Sequence, residues 1–239
     1  MIIRKNSLIF AALLCTFTLA SCDEGDIVAK DEGVQTAGKT ACLNATLSGT
    51  DSWSSQYNIV LAGFAEGSSN AVVQKPLQAT DGTPVHTTLS LSDNDISTIE
   101  LCVTNRLRQR IVTFASVPAS QLQGDTVFLN VGNVDIGMFK TIQDLVFTGT
   151  CARCHGLGLT PAADLTLIEG QSYDQLVNHP ARLPENGLRV VPGSVDESLL
   201  HKVINGDPSA GVRFDHANMI KEGTTLTLID NWIKAGARP

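Results

Sequence analysis

Thr150-Cys151-Ala152-Arg153-Cys154-His155-Gly156 is the stretch from which the rest of the chain is read. Two cysteines separated by two residues and followed at once by histidine form the attachment signature of a c-type haem. The spacing follows from the chemistry. Two thiols add across the two vinyl groups on one side of a porphyrin, and the imidazole that follows then lies beneath the iron as its proximal ligand. Cys151 and Cys154 are therefore the candidate attachment residues and His155 the candidate iron ligand, with covalent haem c and its iron as cofactor. Paired cysteines serve two other chemistries. A redox dithiol wants a strand before it and a helix after it, and a zinc site wants a second ligand pair. The sequence around residue 150 offers neither.

Working outward to the N-terminus, Arg4 and Lys5 form a positive n-region, and Leu8 to Leu19 is an apolar stretch of signal-peptide length, too short for a comfortable membrane span. It ends in Leu19-Ala20-Ser21-Cys22, which resembles a bacterial lipobox, with residues 1–21 as signal peptide and Cys22 as the lipidated first residue of the mature chain. An acylated cysteine anchors a protein to a membrane without spanning it. Asp23-Glu24-Gly25-Asp26 follows. Acidic residues in that place resemble the surface-export signal of Bacteroidetes lipoproteins; in other bacteria an Asp in the first position suggests retention at the inner membrane. Residues 22–39 are polar and aperiodic and read as a flexible linker. The chain carries a net charge of -7, and loss of Arg4 and Lys5 with residues 1–21 takes it to -9, which argues against nucleic acid as a partner.

From residue 40 to 133 the period is two. Leu43, Ala45 and Leu47 alternate with Cys42, Asn44 and Thr46; Val85, Thr87, Leu89 and Leu91 alternate with His86, Thr88 and Ser90; Ile99, Leu101 and Val103 alternate with Glu100, Cys102 and Thr104; Val127, Leu129 and Val131 close the series. Apolar runs at Tyr57–Ala65 and Ile111–Ala115 lie between them, and turn signals such as Asp81-Gly82-Thr83-Pro84 and Asp93-Asn94-Asp95 separate them. Six or seven short strands in this pattern predict an all-β antiparallel sandwich, Ig-like in outline. Cys42 and Cys102 both fall on polar strand faces, and in an exported chain the pair reads as a disulfide. The six cysteines are then all assigned: Cys15 leaves with the signal peptide, Cys22 takes lipid, Cys42 pairs with Cys102, and Cys151 and Cys154 take haem.

From residue 134 to 239 the period changes to 3.6. Met138, Phe139, Ile142, Leu145 and Val146 share a helical face that Gly149 is expected to end. Ser172 can cap a short helix through Asn178. Ser194 and Glu197 have capping-box spacing before Leu199, Leu200, Val203 and Ile204. Thr224 or Thr225 can cap a last helix, whose residues Leu226, Ile229, Trp232 and Ile233 share a face up to Gly236.

This order of helix, Cys-X-X-Cys-His, short helices and terminal helix resembles a class I cytochrome c. Val190-Val191-Pro192-Gly193, then Ser198-Leu199-Leu200, then Trp232-Ile233-Lys234-Ala235-Gly236-Ala237 resemble, more closely, the planctomycete-type cytochrome c domain. The resemblance implies an all-α class I cytochrome c domain over 134–239, following the sandwich. It does not cover the β region. That family carries a Met-Pro pair before its last helix, and its Met is the distal iron ligand. Here the loop reads Phe214-Asp215-His216-Ala217-Asn218-Met219-Ile220, with no Met-Pro. Met219 keeps the family's ligand type and His216 keeps the spacing to the last helix, so both stand as distal candidates. A Met ligand raises the reduction potential relative to a second His. His179 and His201 are weaker candidates, His86 lies on a polar strand face and reads as solvent-exposed, and Arg189 or Lys202 could meet a haem propionate or simply be surface charges.

These readings point to a lipid-anchored monohaem c-type cytochrome that carries single electrons in the cell envelope, at the outer membrane on its periplasmic or surface face, with a redox partner protein that the sequence does not name. No catalytic triad, cleft carboxylate pair or phosphate loop is visible, so no enzyme of its own is expected. Two alternatives are a haem-based sensor with an open or displaceable sixth site, and a binding lipoprotein whose β region is the working part with the cytochrome as accessory.

Overall fold

The alternating residues between Lys39 and Asp135 form eight strands: β1 (Lys39–Ser48), β2 (Tyr57–Phe64), β3 (Ala71–Pro76), β4 (Pro84–Leu91), β5 (Thr98–Asn105), β6 (Arg110–Pro118), β7 (Leu122–Gln123) and β8 (Thr126–Asp135). In this computed structural model residues 38–91, 95–158, 160–182 and 187–239 are described. The signal peptide, Cys22, most of the linker and part of the Asp93-Asn94-Asp95 turn lie outside them. Two four-stranded sheets run β4-β1-β8-β7 and β3-β2-β5-β6. Ala41, Leu43, Ala45 and Leu47 of β1 meet Leu61, Ile99 and Leu101 of the opposite sheet in one buried core.

Three expectations for this region are corrected. The first is strand direction. β1 pairs with β8 in parallel, from Thr40 opposite Thr126 to Ser48 opposite Asp135, so the sandwich is not wholly antiparallel. A parallel neighbour needs a long crossover, and here everything from β2 to β7 lies between the two strands. The second is the disulfide. Cys42 points out from one sheet, whereas Cys102 lies on the far side of the other, buried with Val60, Ala62, Phe64 and Ala71; both thiols are free. Packed sheets stand about 10 Å apart, and outward-facing cysteines across that gap exceed the reach of an S–S bond. The third is the polar face of β5. Glu100 accepts from Arg110 at 2.5 Å and from Thr113 at 2.6 Å, and the Arg110 guanidinium lies 4.5 Å from the centre of the Phe64 ring. Residues that alternate as polar are thereby covered, and burial pushes the Cys102 thiol well above its ordinary range.

The strands of the second sheet are longer on their inner face than the sheet opposite can cover. Ile99 and Leu101 sit in the sandwich core, but Val103, next on the same face, packs with the C-terminal segment. Leu61 and Tyr57 divide in the same way, with Ile59 touching both clusters. Met138, Ile142, Phe147, Leu228, Ile229, Trp232 and Ile233 cover the exposed end. Residues from Gly38 to Pro239 accordingly form one compact unit.

The all-α class I cytochrome c domain expected over 134–239 is overturned. Helix makes up about 26% of the described residues, which are mostly β. The C-terminal helices are α1 (Met138–Ile142), α2 (Ala152–His155), α3 (Ser172–Leu176), α4 (Leu199–Ile204) and α5 (Gly223–Lys234), of which α5 alone reaches 12 residues. Between them run loops with isolated bridges such as Val177 to Val190. The capping-box reading also moves: Ser194 lies in a turn, and Ser198 precedes α4, accepting from Val191 N–H and donating to Ser194 O. The apolar faces of the helices meet one another and the strand ends in a single cluster, in which Met138, Phe147 and Trp232 lie with Tyr57 and Val103.

The junction is built tightly. Gly49 has φ +75, and a Cβ there would meet Gly137 Cα at 2.5 Å. Ser52 Oγ accepts from Met138 N–H at 2.8 Å, and Trp53 Nε1 donates to Ile136 O at 2.6 Å. Gly49→Ala therefore costs about 1–3 kcal/mol. Far-UV circular dichroism and tryptophan fluorescence should report one shared thermal transition whose midpoint falls in this variant. Two separate transitions, of which only one moves, would contradict a common core.

Candidate functional site

α1 does not stop at Gly149. A π-helical segment, Gln143–Cys151, carries the chain into α2, so helical backbone runs from Met138 to His155 and ends at Gly156. The wider register shows in two bonds. Ala152 N–H donates to Phe147 O, five residues back, and Gln143 Nε2 donates to Thr148 Oγ1 at 3.1 Å. It also turns the buried face: Leu145 is 44% exposed, while Phe147 is fully buried beside Phe139, whose ring also meets Trp232. π-helical turns concentrate at functional sites, and this one sets the angle at which Cys151, Cys154 and His155 leave the core. Residues three apart on a helix share a face, so both thiols lie on one side. Cys151 is half-buried, and that burial, with Cys154 nearby, pushes its thiol up to about 11; Cys154 is exposed.

His155 and His216 face each other across 6.4 Å between ring centres, with planes 25° apart. His155 Nδ1 lies 2.9 Å from Ala162 O, and His216 Nδ1 lies 2.8 Å from Phe214 O. A carbonyl only accepts, so each Nδ1 carries the hydrogen and each Nε2 is left with its lone pair. Burial, above all, pulls the His155 imidazole below its ordinary value, and His216 and Arg189 push the same way against the Ala162 bond. The neutral ring is the metal-binding form. An imidazole nitrogen stands about 2.0–2.1 Å from a first-row metal, with its ring centre about 1.1 Å further back, so two rings on one metal have centres roughly 6.3 Å apart. The observed spacing matches. Nδ1–H to carbonyl bonds of this kind are also what fix the orientation of ligating histidines.

The surroundings suit a flat apolar group. Leu157, Val212, Phe214 and Met219 are four of the seven large apolar side chains exposed among the described residues, and all flank the two histidines in sequence. Met219 is 40% exposed, and its backbone N–H donates to His216 O. It is His216 that the fold sets opposite His155. His201 instead bonds Asp230 at 2.7 Å, His179 its neighbour Pro180 O at 2.9 Å, and His86 the Asn44 side chain at 2.6 Å. Arg189 is buried rather than a surface charge. Two cavities of about 330 and 300 Å³ are lined by other residues and include neither histidine. Among the described residues no three His, Cys, Asp or Glu side chains gather as a metal cluster, and no helix is long and apolar enough to cross a membrane. A porphyrin supplies four nitrogens of its own, so two imidazoles are the protein's full share of a six-coordinate iron.

The carbonyls of Ala162 and Phe214 left no trace in the sequence, because any residue type supplies one. No family model, no curated protein and no solved structure matches the chain.

In protein made without haem, Cys154 should alkylate with iodoacetamide well before Cys151 at pH 8, because Cys151 is screened and remains a thiol to about pH 11. Peptide mass mapping over time checks this, and equal rates would contradict the placement of Cys151.

Proposed function

We propose that the chain is a monohaem c-type cytochrome that carries single electrons in the cell envelope, held there by lipid on Cys22 and exchanging electrons with a protein partner. The observation that carries the reading is the facing pair His155 and His216, each with Nδ1 tied to a carbonyl and Nε2 left free. The residues fit the group. Cys151 and Cys154 would hold it through two thioethers from one helical face, and His155 and His216 would be the ligands to its iron. Bound haem supplies a one-electron couple. The protein's own part is to keep both imidazoles oriented in each redox state, so that little moves on electron transfer. Two imidazoles favour a lower potential than a His-Met pair. The motif resemblance to planctomycete-type cytochrome c supports the haem assignment, here within a β-rich unit that shares its core with the haem-bearing helix.

The test uses residues 22–239 with Cys22→Ser, exported behind a cleavable leader alongside a haem-maturation system. Oxidised and reduced absorption spectra are recorded with and without CO for wild type, His216→Ala and Met219→Ala. Wild type and Met219→Ala are expected to be six-coordinate and slow to bind CO, and His216→Ala to bind it at once. Rapid CO binding by wild type would favour the sensor reading instead, and absence of covalent haem would remove the proposal.

A further inference from the structure

We propose that Arg189 is a positioning residue for His155: its guanidinium holds the turn whose carbonyl orients that imidazole, an inference that rests on His155 being an iron ligand. Arg189 is only 6% exposed, and among the described residues its guanidinium donates to carbonyl and amide oxygens, with the Asp164 carboxylate acting on it by charge without a hydrogen bond. Nη1 donates to Gln175 O at 2.8 Å and to Gln175 Oε1 at 3.1 Å; Nη2 donates to Ala163 O at 3.2 Å and to Asp164 O at 3.1 Å. The planar fork of arginine can reach four acceptors in two directions at once, which a lysine ammonium cannot.

The turn it grips needs a grip. Ala163 and Asp164 have φ 57 and 51, two consecutive left-handed residues without a glycine. Such backbone persists where the surroundings over-determine it. The carbonyl just before them, Ala162 O, is the one that accepts from His155 Nδ1. Arg189 is itself fixed from behind, its N–H donating to His179 O and its carbonyl accepting from Leu200 N–H, both at 2.9 Å. The path from α3 through Arg189 and the turn to the imidazole is therefore hydrogen-bonded at every step. A buried cation with only neutral acceptors is costly, and an apolar residue would fill the space without that cost. Its position also gives it an electrostatic role. A fixed positive charge near iron favours the state with one positive charge fewer, so Arg189 raises the reduction potential against the lowering effect of two imidazoles.

The two roles separate in the covalently loaded protein. Arg189→Lys keeps the charge and loses the fork; Arg189→Gln loses both. A third variant adds Ala163→Gly and Asp164→Gly to Arg189→Gln, because glycine adopts the left-handed turn without strain. Midpoint potential is measured by spectroelectrochemistry, and imidazole orientation by the spread of haem-methyl proton shifts in the oxidised state. Arg189→Lys should change the methyl spread with little change in potential. Arg189→Gln should change both, with a lower potential. The glycine variant should recover the methyl spread and keep the low potential, and it carries the comparison if Arg189→Gln alone does not fold. A six-coordinate wild type whose variants share its methyl spread and potential would overturn this role and leave the haem reading standing. A wild type without covalent haem would overturn both.

Discussion

The inner face of β2, β5 and β6 outruns the sheet packed against it, and that excess decides where the rest of the chain goes. Val103 and Tyr57 would stand in water if the chain ended at β8. Instead β8 leads through Gly137 directly into α1, with Ser52 capping Met138 N–H and Gly49 leaving just enough room for the crossing. Met138, Ile142 and Phe147 then lie on the uncovered strands, and Trp232 and Ile233 of α5 close over them. Hydrophobic burial is the dominant favourable term in folding, and here it ties a sandwich and a set of short helices into one unit. The helix bearing Cys151, Cys154 and His155 is thus anchored at its base to α5, where Phe139 meets Trp232, and to the strand ends at Tyr57 and Val103.

Rigidity at the base becomes geometry at the tip. The π-helical turn carries the backbone across Gly149 and leaves Cys151 packed at the edge of the core with Cys154 exposed beyond it. From the other side, the loop before α5 brings His216 to the same place, with Phe214 O holding its Nδ1. Neither imidazole depends on the other for its orientation, since each has its own carbonyl. Two rings 6.4 Å apart, each oriented by its own carbonyl, are thus ordered during folding, and under the proposed function that ordering need not be completed during binding.

Much of this could be read from residue order, and the misreadings share a cause. Cys151, Cys154 and His155 stood out because their spacing matches an attachment signature, and the structure adds that they share one helical segment. The strands were legible because one face of each is buried. β5 misled because both of its faces are covered, the second by Arg110 reaching over Glu100 and Phe64. That covering also hid the true surroundings of Cys102. Leu145 misled because a 3.6-residue period was assumed where the helix widens. The separate helical domain misled because motif order says nothing about which surface a helix packs on. Arg189 looked like any surface charge, and the carbonyls that orient the histidines have no sequence signature at all. His216 stood out as a candidate through its distance from the last helix; that its ring lies 6.4 Å from that of His155 had no sequence signature.

The central claim is that His155 and His216 share one iron. X-ray absorption at the iron edge of the covalently loaded, oxidised protein measures the atoms bound to the metal. The account predicts a first shell of six nitrogens, two of them axial imidazoles with the outer-ring scattering typical of histidine, and no sulfur. A sulfur scatterer at about 2.3 Å, a typical metal–sulfur distance, would place Met219 on the iron and contradict it.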